Sequence, residues 1–402
     1  MNDDDLLFSG LKVLDVGTWI AAPVATTMLA DYGANVIKIE QPGVGDGYRQ
    51  YALVPGTPKC EVNYCWVMDA RNKRSLNLDL KSEDGMAILH QLIDDCDIYV
   101  TNQPLALRRR LGLMYEDIAA RNPRAIYASL TAYGEKGPER DREGFDLVAW
   151  WSRSGLMDQL REPGAGPTPA LPGQGDHPTA VAMYASIVTA LLRRQRTGKG
   201  SHVHTSLLAN GLWSNACLAQ AQLLGADFTP WKHPVRAGFQ RHMYECADGR
   251  HLQFSMVRTV EDFDACLVVL EAVELLADER FGTPEDRFAN GVAFIEALIP
   301  YVRRRTASEW MSLFREAELP VALVAKLEDL ATDPQILANA MVLTPPPEFG
   351  QGPIVDHPVN VEGLRRVDLS PAPTPGQHSR EVLREMGYDD DRIDALARHG
   401  VI

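Results

Sequence analysis

The sequence predicts an α/β protein built around a doubly wound, mostly parallel sheet. Through the first third of the chain, short β-rich runs alternate with helical stretches, and tight turns connect them. Such units pair their strands in parallel with right-handed crossovers, and their repetition covers both faces of a sheet with helices. Apolar residues make up 45% of the 402 residues and charged residues 23%, which is typical of a globular protein long enough for two or three domains.

The first unit contains a strand at Lys12–Val16, a helix from about Pro23 to Asp31 and a strand at Val36–Ile39. Residues 33–35 (Gly-Ala-Asn) form the turn before the second strand. The alternation then continues, and it predicts strands at Leu76–Leu80, Ile98–Val100 and Ala125–Leu130, and helices at Ser82–Cys96 and Tyr115–Arg121.

One long helix and two boundaries organise the rest of the chain. Ala180–Arg194 is strongly apolar and predicts a buried helix, which ends at the basic, glycine-bearing segment Arg196–Gly200. A segment rich in proline, glycine and histidine at Thr229–Gly249 indicates one boundary, and Leu319–Val321 indicates the second. The other predicted features are a loop region from Arg140 to Gly175, a hairpin of Tyr244–Cys246 and His251–Phe254, helices up to about Ala317, and a final helix from about Ser379.

Charge and composition exclude several classes of partner. The formal net charge of −14 argues against nucleic acid or an anionic membrane as the main partner, although a local cluster of cations can still bind phosphates. The first residues have neither a basic nor an apolar signal-peptide region, and apolar runs such as Ala180–Leu192 are too short to span a bilayer. The six cysteines have no C-x-x-C spacing, so reduced thiols are expected. We therefore predict a cytoplasmic protein.

Three common kinds of catalytic site lack support. Glu40 falls 23 residues after Gly17, where a nicotinamide-binding fold places its ribose-binding acid, but Trp19 and Ile20 replace the glycine that pyrophosphate requires. His202-x-His204 is better explained as a strand edge than as a metal site, and no metal is predicted. A G-x-S-x-G nucleophile elbow is also lacking in the sequence.

Two acids stand at the starts of helical segments. Asp146 precedes a segment that contains Trp150 and Trp151, and Asp176 precedes the long apolar helix. Each aspartate by itself is most simply a helix N-cap. Asp176 differs because Gly173 and Gly175 before it give close access, while the helix dipole favours its charge and burial shields it from water.

Several segments, in the same order along the chain, resemble the family III CoA-transferases. They extend from about residue 10 to Ile402, and so many ordered motifs make a chance match very improbable. They are Leu11–Asp15, Ala30–Glu40, Asn72–Lys81, Asn102 with Arg110–Gly112, Asn122–Tyr127, Gly175-Asp176, Asp333–Gln335 and Ala372–His378.

The resemblance implies an interlocked homodimer of ring-like chains and a nucleophilic Asp176 that carries acyl and CoA groups during transfer. Each chain would have a large CoA-binding α/β domain (residues 1–225 and 330–402) and a small α+β domain (residues 226–329). A CoA thioester would be bound as substrate, with a carboxylic acid as acceptor and no further cofactor. The implied CoA-binding residues are Thr18, Trp19, Ile20, Ala21, Leu78, Lys81, Asn102 and Arg110, with the two cations facing phosphates.

Two alternatives share the implied fold. An α-methylacyl-CoA racemase pairs the aspartate with a histidine just before the Asp146 position, which here is Phe145, and with a glutamate near residues 256–258, where Glu261 is the nearest acid. His177 is adjacent to Asp176 and is therefore not placed on the opposite face of a substrate. A non-catalytic CoA-binding scaffold is the second alternative, and retention of Asp176 argues against it.

The sequence departs from the family pattern at two places. Residues 103–107 (Gln-Pro-Leu-Ala-Leu) replace an aromatic, glycine-rich segment, and residues 237–240 (Ala-Gly-Phe-Gln) replace the glycine-rich loop of oxalate-using members. We therefore expect a small or medium carboxylic acid other than oxalate as acceptor. Trp150 and Trp151 either line its pocket or belong to the core.

Overall fold

The computed structural model describes residues 6–161, 164–228, 238–254, 257 and 259–402. The chain divides into two compact units. The first comprises Met1–Arg161, Gly166–Gln220 and Ala338–Ile402, and the second comprises Glu162–Ala165 and Ala221–Leu337. The assignment of residues 226–329 to a small domain, and of the flanking residues to a CoA-binding domain, stays a prediction. Part of the predicted boundary at Thr229–Gly249, residues 229–237, lies outside the described residues.

The first unit contains a six-stranded sheet in which every neighbouring pair of strands is parallel. The strands are β1 (Lys12–Asp15), β2 (Asn35–Glu40), β3 (Arg74–Asn77), β4 (Ile98–Thr101), β5 (Ile126–Thr131) and β6 (Ser201–Ser206). Their order in the sheet is β3-β2-β1-β4-β5-β6, so the α/β class and the parallel sheet are confirmed. The predicted strand Leu76–Leu80 was placed too far along the chain. It ends at Asn77 because the chain turns there and the Asp79 N–H donates to the Val401 carbonyl.

The described residues also form seventeen α-helices. In chain order they are α1 (Ala21–Asp31), α2 (Tyr64–Asp69), α3 (Glu83–Asp95), α4 (Leu105–Leu111), α5 (Tyr115–Arg121), α6 (Leu156–Gln159), α7 (Asp176–Thr197), α8 (Leu207–Ser214), α9 (Ala216–Leu223), α10 (Gly238–Arg241), α11 (Val260–Val269), α12 (Pro284–Ala289), α13 (Gly291–Val302), α14 (Ala307–Glu316), α15 (Pro334–Ala338), α16 (Ser379–Glu385) and α17 (Asp390–Arg398). A π-helical turn spans Leu147–Ser152, and short 3₁₀ turns span Gly47–Leu53, Val273–Leu276, Glu279–Phe281, Leu327–Thr332 and Pro347–Phe349. Among the described residues, no helix has both the length and the apolar character that crossing a bilayer requires.

Alternate residues of the strands divide the core of the first unit into two clusters, one on each face of the sheet. Val13 and Val100 join a cluster with α1 and α7, whereas Leu14 and Tyr99 join a cluster with α3 and the C-terminal helices α16 and α17. This division follows from the two-residue period of a strand. The predicted coverage of both sheet faces by helices is therefore confirmed.

The second unit has its own antiparallel sheet and its own aromatic core. The strands β7 (Met243–Glu245) and β8 (His251–Phe254) form the predicted hairpin, and β9 (Val321–Leu323) pairs with β8. The predicted boundary at Leu319–Val321 is therefore wrong, because Val321 begins a strand of this unit. Phe254, Phe294 and Trp310 are buried at its centre. A short ladder of β10 (Val342–Leu343) and β11 (Ile354–Val355) belongs to the first unit.

Candidate active site

The order of the strands reverses between β1 and β4, and a cavity of about 470 Å³ lies at the carboxyl ends of these strands. Ligands of open α/β sheets bind at such a switch point. The structure brings six of the predicted site residues together in this cavity: Thr18, Trp19, Ile20, Ala21, Asn102 and Asp176. Of the remaining predicted residues, Leu78 is buried in the core, whereas Lys81 and Arg110 are exposed away from the cavity wall.

Side chains hold the turn after β1 from two directions. The Asn102 Oδ1 accepts from the Thr18 N–H (2.8 Å), and the Asn102 Nδ2 donates to the Thr18 carbonyl (2.7 Å). The Asp46 Oδ1 accepts from the Trp19 N–H (3.0 Å). Trp19 is held at a φ of 65°, a left-handed conformation that is uncommon for a bulky residue. These three hydrogen bonds therefore hold the turn in one uncommon conformation.

Aromatic rings form one wall of the cavity. The Trp19 ring meets the Phe145 ring edge to face, with 5.0 Å between centroids, and Tyr48 and Tyr51 pack behind it. Phe145, which the resemblance aligns with the histidine of a racemase, lines the cavity, and its hydrocarbon ring cannot transfer a proton. Glu261 is the acid nearest to the position of the racemase glutamate, and it is an exposed residue in the first turn of α11. Residues 256 and 258 lie outside the described residues.

Asp176 is the first residue of α7, which begins four residues earlier than predicted. Gly175 occupies the N-cap position, and the Asp176 side chain makes no capping bond to any described residue, so the N-cap interpretation of Asp176 is wrong. Pro178 is compatible with this early start because a helix tolerates proline in its first turn. The carboxylate thus lies at the positive end of a 22-residue helix, where the dipole favours negative charge.

The backbone before Asp176 packs directly against an indole ring. A Cβ atom on Gly175 would lie 2.6 Å from the Trp150 Cγ, so this position requires glycine. The Gly175 N–H donates to the Asp146 Oδ2 (3.0 Å). Asp146 precedes the π-helical turn without capping it, so its N-cap interpretation is also wrong, and its side chain instead fixes the turn that carries Asp176. Trp150 is buried in the core and does not line the cavity.

The charges around Asp176 oppose one another. Partial burial and the nearby Asp146 carboxylate raise the pKa of Asp176 to about 7, although the charge of His177 acts in the opposite direction. Burial disfavours the charge of His177 and is the largest single influence, but the hydrogen bond and charge of Asp69, the Gly173 carbonyl and the charge of Asp176 together raise the pKa of His177 to about 9. An acid and a base that are neighbours in the sequence and both have a shifted pKa are typical of functional sites.

Sequence reasoning missed one polar residue behind the Asp176 turn and two arginines that line the cavity. Asp69 ends α2, a helix that was not predicted, and no local motif marks it. Arg140 and Arg142 line the cavity but were included in an undifferentiated loop region; their guanidinium charge in a glycine-bearing segment was the available signal. Glu40 is bound by the Arg49 Nε (2.7 Å) and by the Ser75 hydroxyl (2.7 Å), so it does not offer a free carboxylate to a ribose.

Comparison with known proteins places this arrangement in a family. The model of CoA-transferase family III matches residues 8–379. The chain is 31% identical over 394 residues to the (R)-2-hydroxy-4-methylpentanoate CoA-transferase of Clostridioides difficile, covering 97% of this chain and 98% of the relative. It is also 31% identical over 410 residues to the cinnamoyl-CoA:phenyllactate CoA-transferase of Clostridium sporogenes, covering 99% and 98%. A crystal structure of a CAIB/BAIF family protein from Brucella suis superposes with a TM-score of 0.83 at 26% identity, covering 95% of this chain and all of that chain. The predicted resemblance is therefore confirmed: this chain belongs to the family III CoA-transferases and is a CoA-transferase enzyme.

Proposed function

We propose that the protein moves CoA from an acyl-CoA donor to a carboxylic acid through covalent intermediates on Asp176. The observation that carries this proposal is the position of the Asp176 carboxylate, which faces the same switch-point cavity as the turn after β1. A carboxylate is a suitable nucleophile because the thioester and anhydride carbonyls that it would exchange have comparable reactivity. CoA can therefore pass between acids without ATP.

Each step exchanges one carbonyl substituent for another. A carboxylate oxygen of Asp176 attacks the thioester carbon, the C–S bond breaks, and a mixed anhydride and the CoA thiolate form. The thiolate then attacks the aspartyl carbonyl, which releases the donor acid and leaves an aspartyl-CoA thioester. The acceptor carboxylate attacks this thioester, the C–S bond breaks, and a second anhydride and the CoA thiolate form. Attack of the thiolate on the acceptor carbonyl restores Asp176 and yields the new acyl-CoA.

The proposed CoA site continues outward from the cavity. Thr18, Trp19, Ile20, Ala21 and Asn102 would contact the thioester end, since they share the cavity with Asp176. CoA is long enough for its phosphates to lie beyond the cavity, where the exposed Lys81 and Arg110 would pair with them. Leu78 would act through its burial, because it anchors the segment that carries Lys81. We propose no cofactor besides this substrate.

We propose an acceptor acid of medium size with an apolar side chain. Trp19, Ile20 and Phe145 give the cavity an apolar wall. Two of the curated relatives are named for (R)-2-hydroxy-4-methylpentanoate and for phenyllactate, which are acids of this kind. On the family pattern we further propose a cytoplasmic, interlocked homodimer whose large domain comprises residues 1–225 and 330–402.

Trapping with hydroxylamine tests the covalent mechanism. The protein is incubated with cinnamoyl-CoA, succinyl-CoA or acetyl-CoA, treated with hydroxylamine, and digested for mass measurement of the peptide that contains Asp176. We expect a hydroxamate on Asp176 with at least one donor. Exchange of the α-proton of 2-methylacyl-CoA without such an adduct would instead support racemisation. If neither an adduct nor exchange is observed, the result would support a non-catalytic scaffold and contradict the proposal.

The pH dependence of the rate should report the ionisation of Asp176. Only the carboxylate attacks, so kcat/KM should fall as the pH falls through about 7, the value to which burial and Asp146 raise the pKa of Asp176. An ordinary aspartate would instead lose activity near pH 4. Initial rates between pH 4.5 and 9.5 in buffers of constant ionic strength measure this fall, which is the acid limb of the pH–rate profile. An acid limb near pH 4 would mean that the cavity does not perturb the nucleophile.

A further inference from the structure

Both carboxylate oxygens of Asp69 are engaged in a network behind the Asp176 turn, in which Tyr48 and Asp69 are buried and the His177 side chain is 40% exposed. The Tyr48 hydroxyl donates to Asp69 Oδ2 (2.8 Å), and the His177 Nε2 lies 3.2 Å from Asp69 Oδ1. The Asp69 side chain is only 4% exposed, and the Thr27 hydroxyl donates to its backbone carbonyl. The carboxylate therefore has a fixed position and orientation.

The second ring nitrogen of His177 also meets an oxygen. His177 Nδ1 lies 3.0 Å from the Gly173 carbonyl, and the His177 backbone N–H donates to the same carbonyl (3.3 Å). A neutral imidazole donates from one nitrogen and would direct a lone pair at one of these two acceptors. Only the imidazolium donates to both, so the geometry selects the charged form of His177.

This cation is adjacent in the sequence to the proposed nucleophile and lies against the Asp69 carboxylate. The groups acting on Asp176 are Asp146 from the segment before the π-helical turn, Asp69 from the end of α2, and His177 from α7 itself. Both carboxylates disfavour ionisation of Asp176, and His177 favours it with a stronger effect than Asp69 has. His177 thus offsets part of the repulsion that the two carboxylates create.

We propose that Tyr48, Asp69 and His177 form a positioning relay, in which Asp69, oriented by Tyr48, holds His177 as a cation that fixes the Gly173–His177 turn and keeps Asp176 ionised. The inference rests on the proposed function, since it assumes that the Asp176 carboxylate is the attacking group. None of the three relay residues transfers a proton to or from the substrate. Their effect on catalysis should therefore appear as a change in the pH at which the enzyme becomes active.

Three variants test the relay: His177→Gln, Asp69→Asn and His177→Lys. In His177→Gln the acid limb of kcat/KM should move upward by about one pH unit, which corresponds to an approximately fivefold loss at pH 7 and little loss at pH 9. Asp69→Asn should shift the limb in the same direction by less, because it also removes one of the repelling carboxylates. His177→Lys restores a cation and should recover at least half of the shift. His399→Gln removes an exposed histidine from the C-terminus and serves as the matched control, with an unchanged limb.

The measurements use the full chain with cinnamoyl-CoA and phenyllactate, or with whichever of the three acyl-CoA donors gives the most activity and its acceptor acid. Thermal unfolding confirms that each variant folds. Trapping of the Asp176 hydroxamate at pH 9 separates the two proposals. If the adduct forms in every variant and the limb shifts in the stated order, the relay is supported. If it forms but the limb of His177→Gln stays at the wild-type pH, the relay is wrong while the proposed function stands. If folded His177→Gln forms no adduct at pH 9 although the wild type does, His177 takes part in the chemistry directly and the positioning role is wrong.

Discussion

Asp176→Asn should lower kcat/KM for CoA transfer by at least about 10³-fold, the scale on which loss of a covalent nucleophile acts. The amide has nearly the same shape as the carboxylate, but it cannot attack the thioester and cannot later leave an anhydride as a carboxylate. Substrate binding should change little, because the cavity walls stay in place. CoA transfer followed by chromatography of the two acyl-CoA species measures the loss, and turnover near the wild-type rate would contradict the mechanism.

The same substitution should make the protein more stable at alkaline pH. The folded-state pKa of Asp176 is raised to about 7, so above that pH the folded state holds a carboxylate less favourably than the unfolded chain does. Removing the charge should raise the free energy of unfolding by at least about 1 kcal/mol at pH 8, and the gain should disappear below pH 4, where both states are protonated. Asp391→Asn is the matched control, because Asp391 is an exposed acid in the first turn of α17 and should show no such gain. Equal stabilisation by both variants would mean that the charge of Asp176 does not destabilise the folded state.

Gly175→Ala should damage both activity and stability through a steric clash. The added methyl would lie within 2.8 Å of the Trp150 Cγ, Cβ and Cδ2 atoms. The indole cannot retreat freely, since Gly211 packs against the Trp150 backbone so closely that a Cβ there would lie 2.2 Å from its carbonyl oxygen. The turn must therefore move, and the 3.0 Å bond from Gly175 to Asp146 is lost. We expect a fall of about 10²-fold in kcat and of about 1–3 kcal/mol in stability.

Gly166→Ala provides the control for this clash, because a Cβ at Gly166 meets no atom within 4 Å. It should leave kcat and the unfolding midpoint unchanged. Trapping of the Asp176 hydroxamate in Gly175→Ala would show that the displaced carboxylate can still react, only more slowly. Wild-type kcat in Gly175→Ala would show that the turn tolerates displacement.

The parts of the fold that depend on local pattern were predictable. The helix Tyr115–Arg121 has the predicted bounds, and β1, β2, β4 and β5 fall within about one residue of their predicted positions. Their periodicity and turns are encoded within a few residues of each element. The resemblance likewise indicated Asp176 and Asn102, and the structure brings both to one cavity.

What escaped prediction depends on contacts between distant parts of the chain. Asp69 and His177 are 108 positions apart, and Asn102 and Thr18 are 84 positions apart, so no local window contains either pair. The start of α7 at Asp176 was missed because the polar sequence of residues 174–178 gives no apolar period. The buried role of Trp150 depends on Gly175 and Gly211, which approach the indole from two different segments.

The C-terminal helices α16 and α17 complete one face of the main sheet, with Val382, Leu383, Ile393 and Leu396 in its core. This arrangement has a consequence for biosynthesis. Until α16 and α17 have left the ribosome, the strands made first expose an apolar surface to the solvent. Most of the second unit, residues 221–337, is continuous and can fold earlier during translation. A nonsense mutation shortly before α16 should therefore yield an aggregating product, although every residue of the cavity has been made.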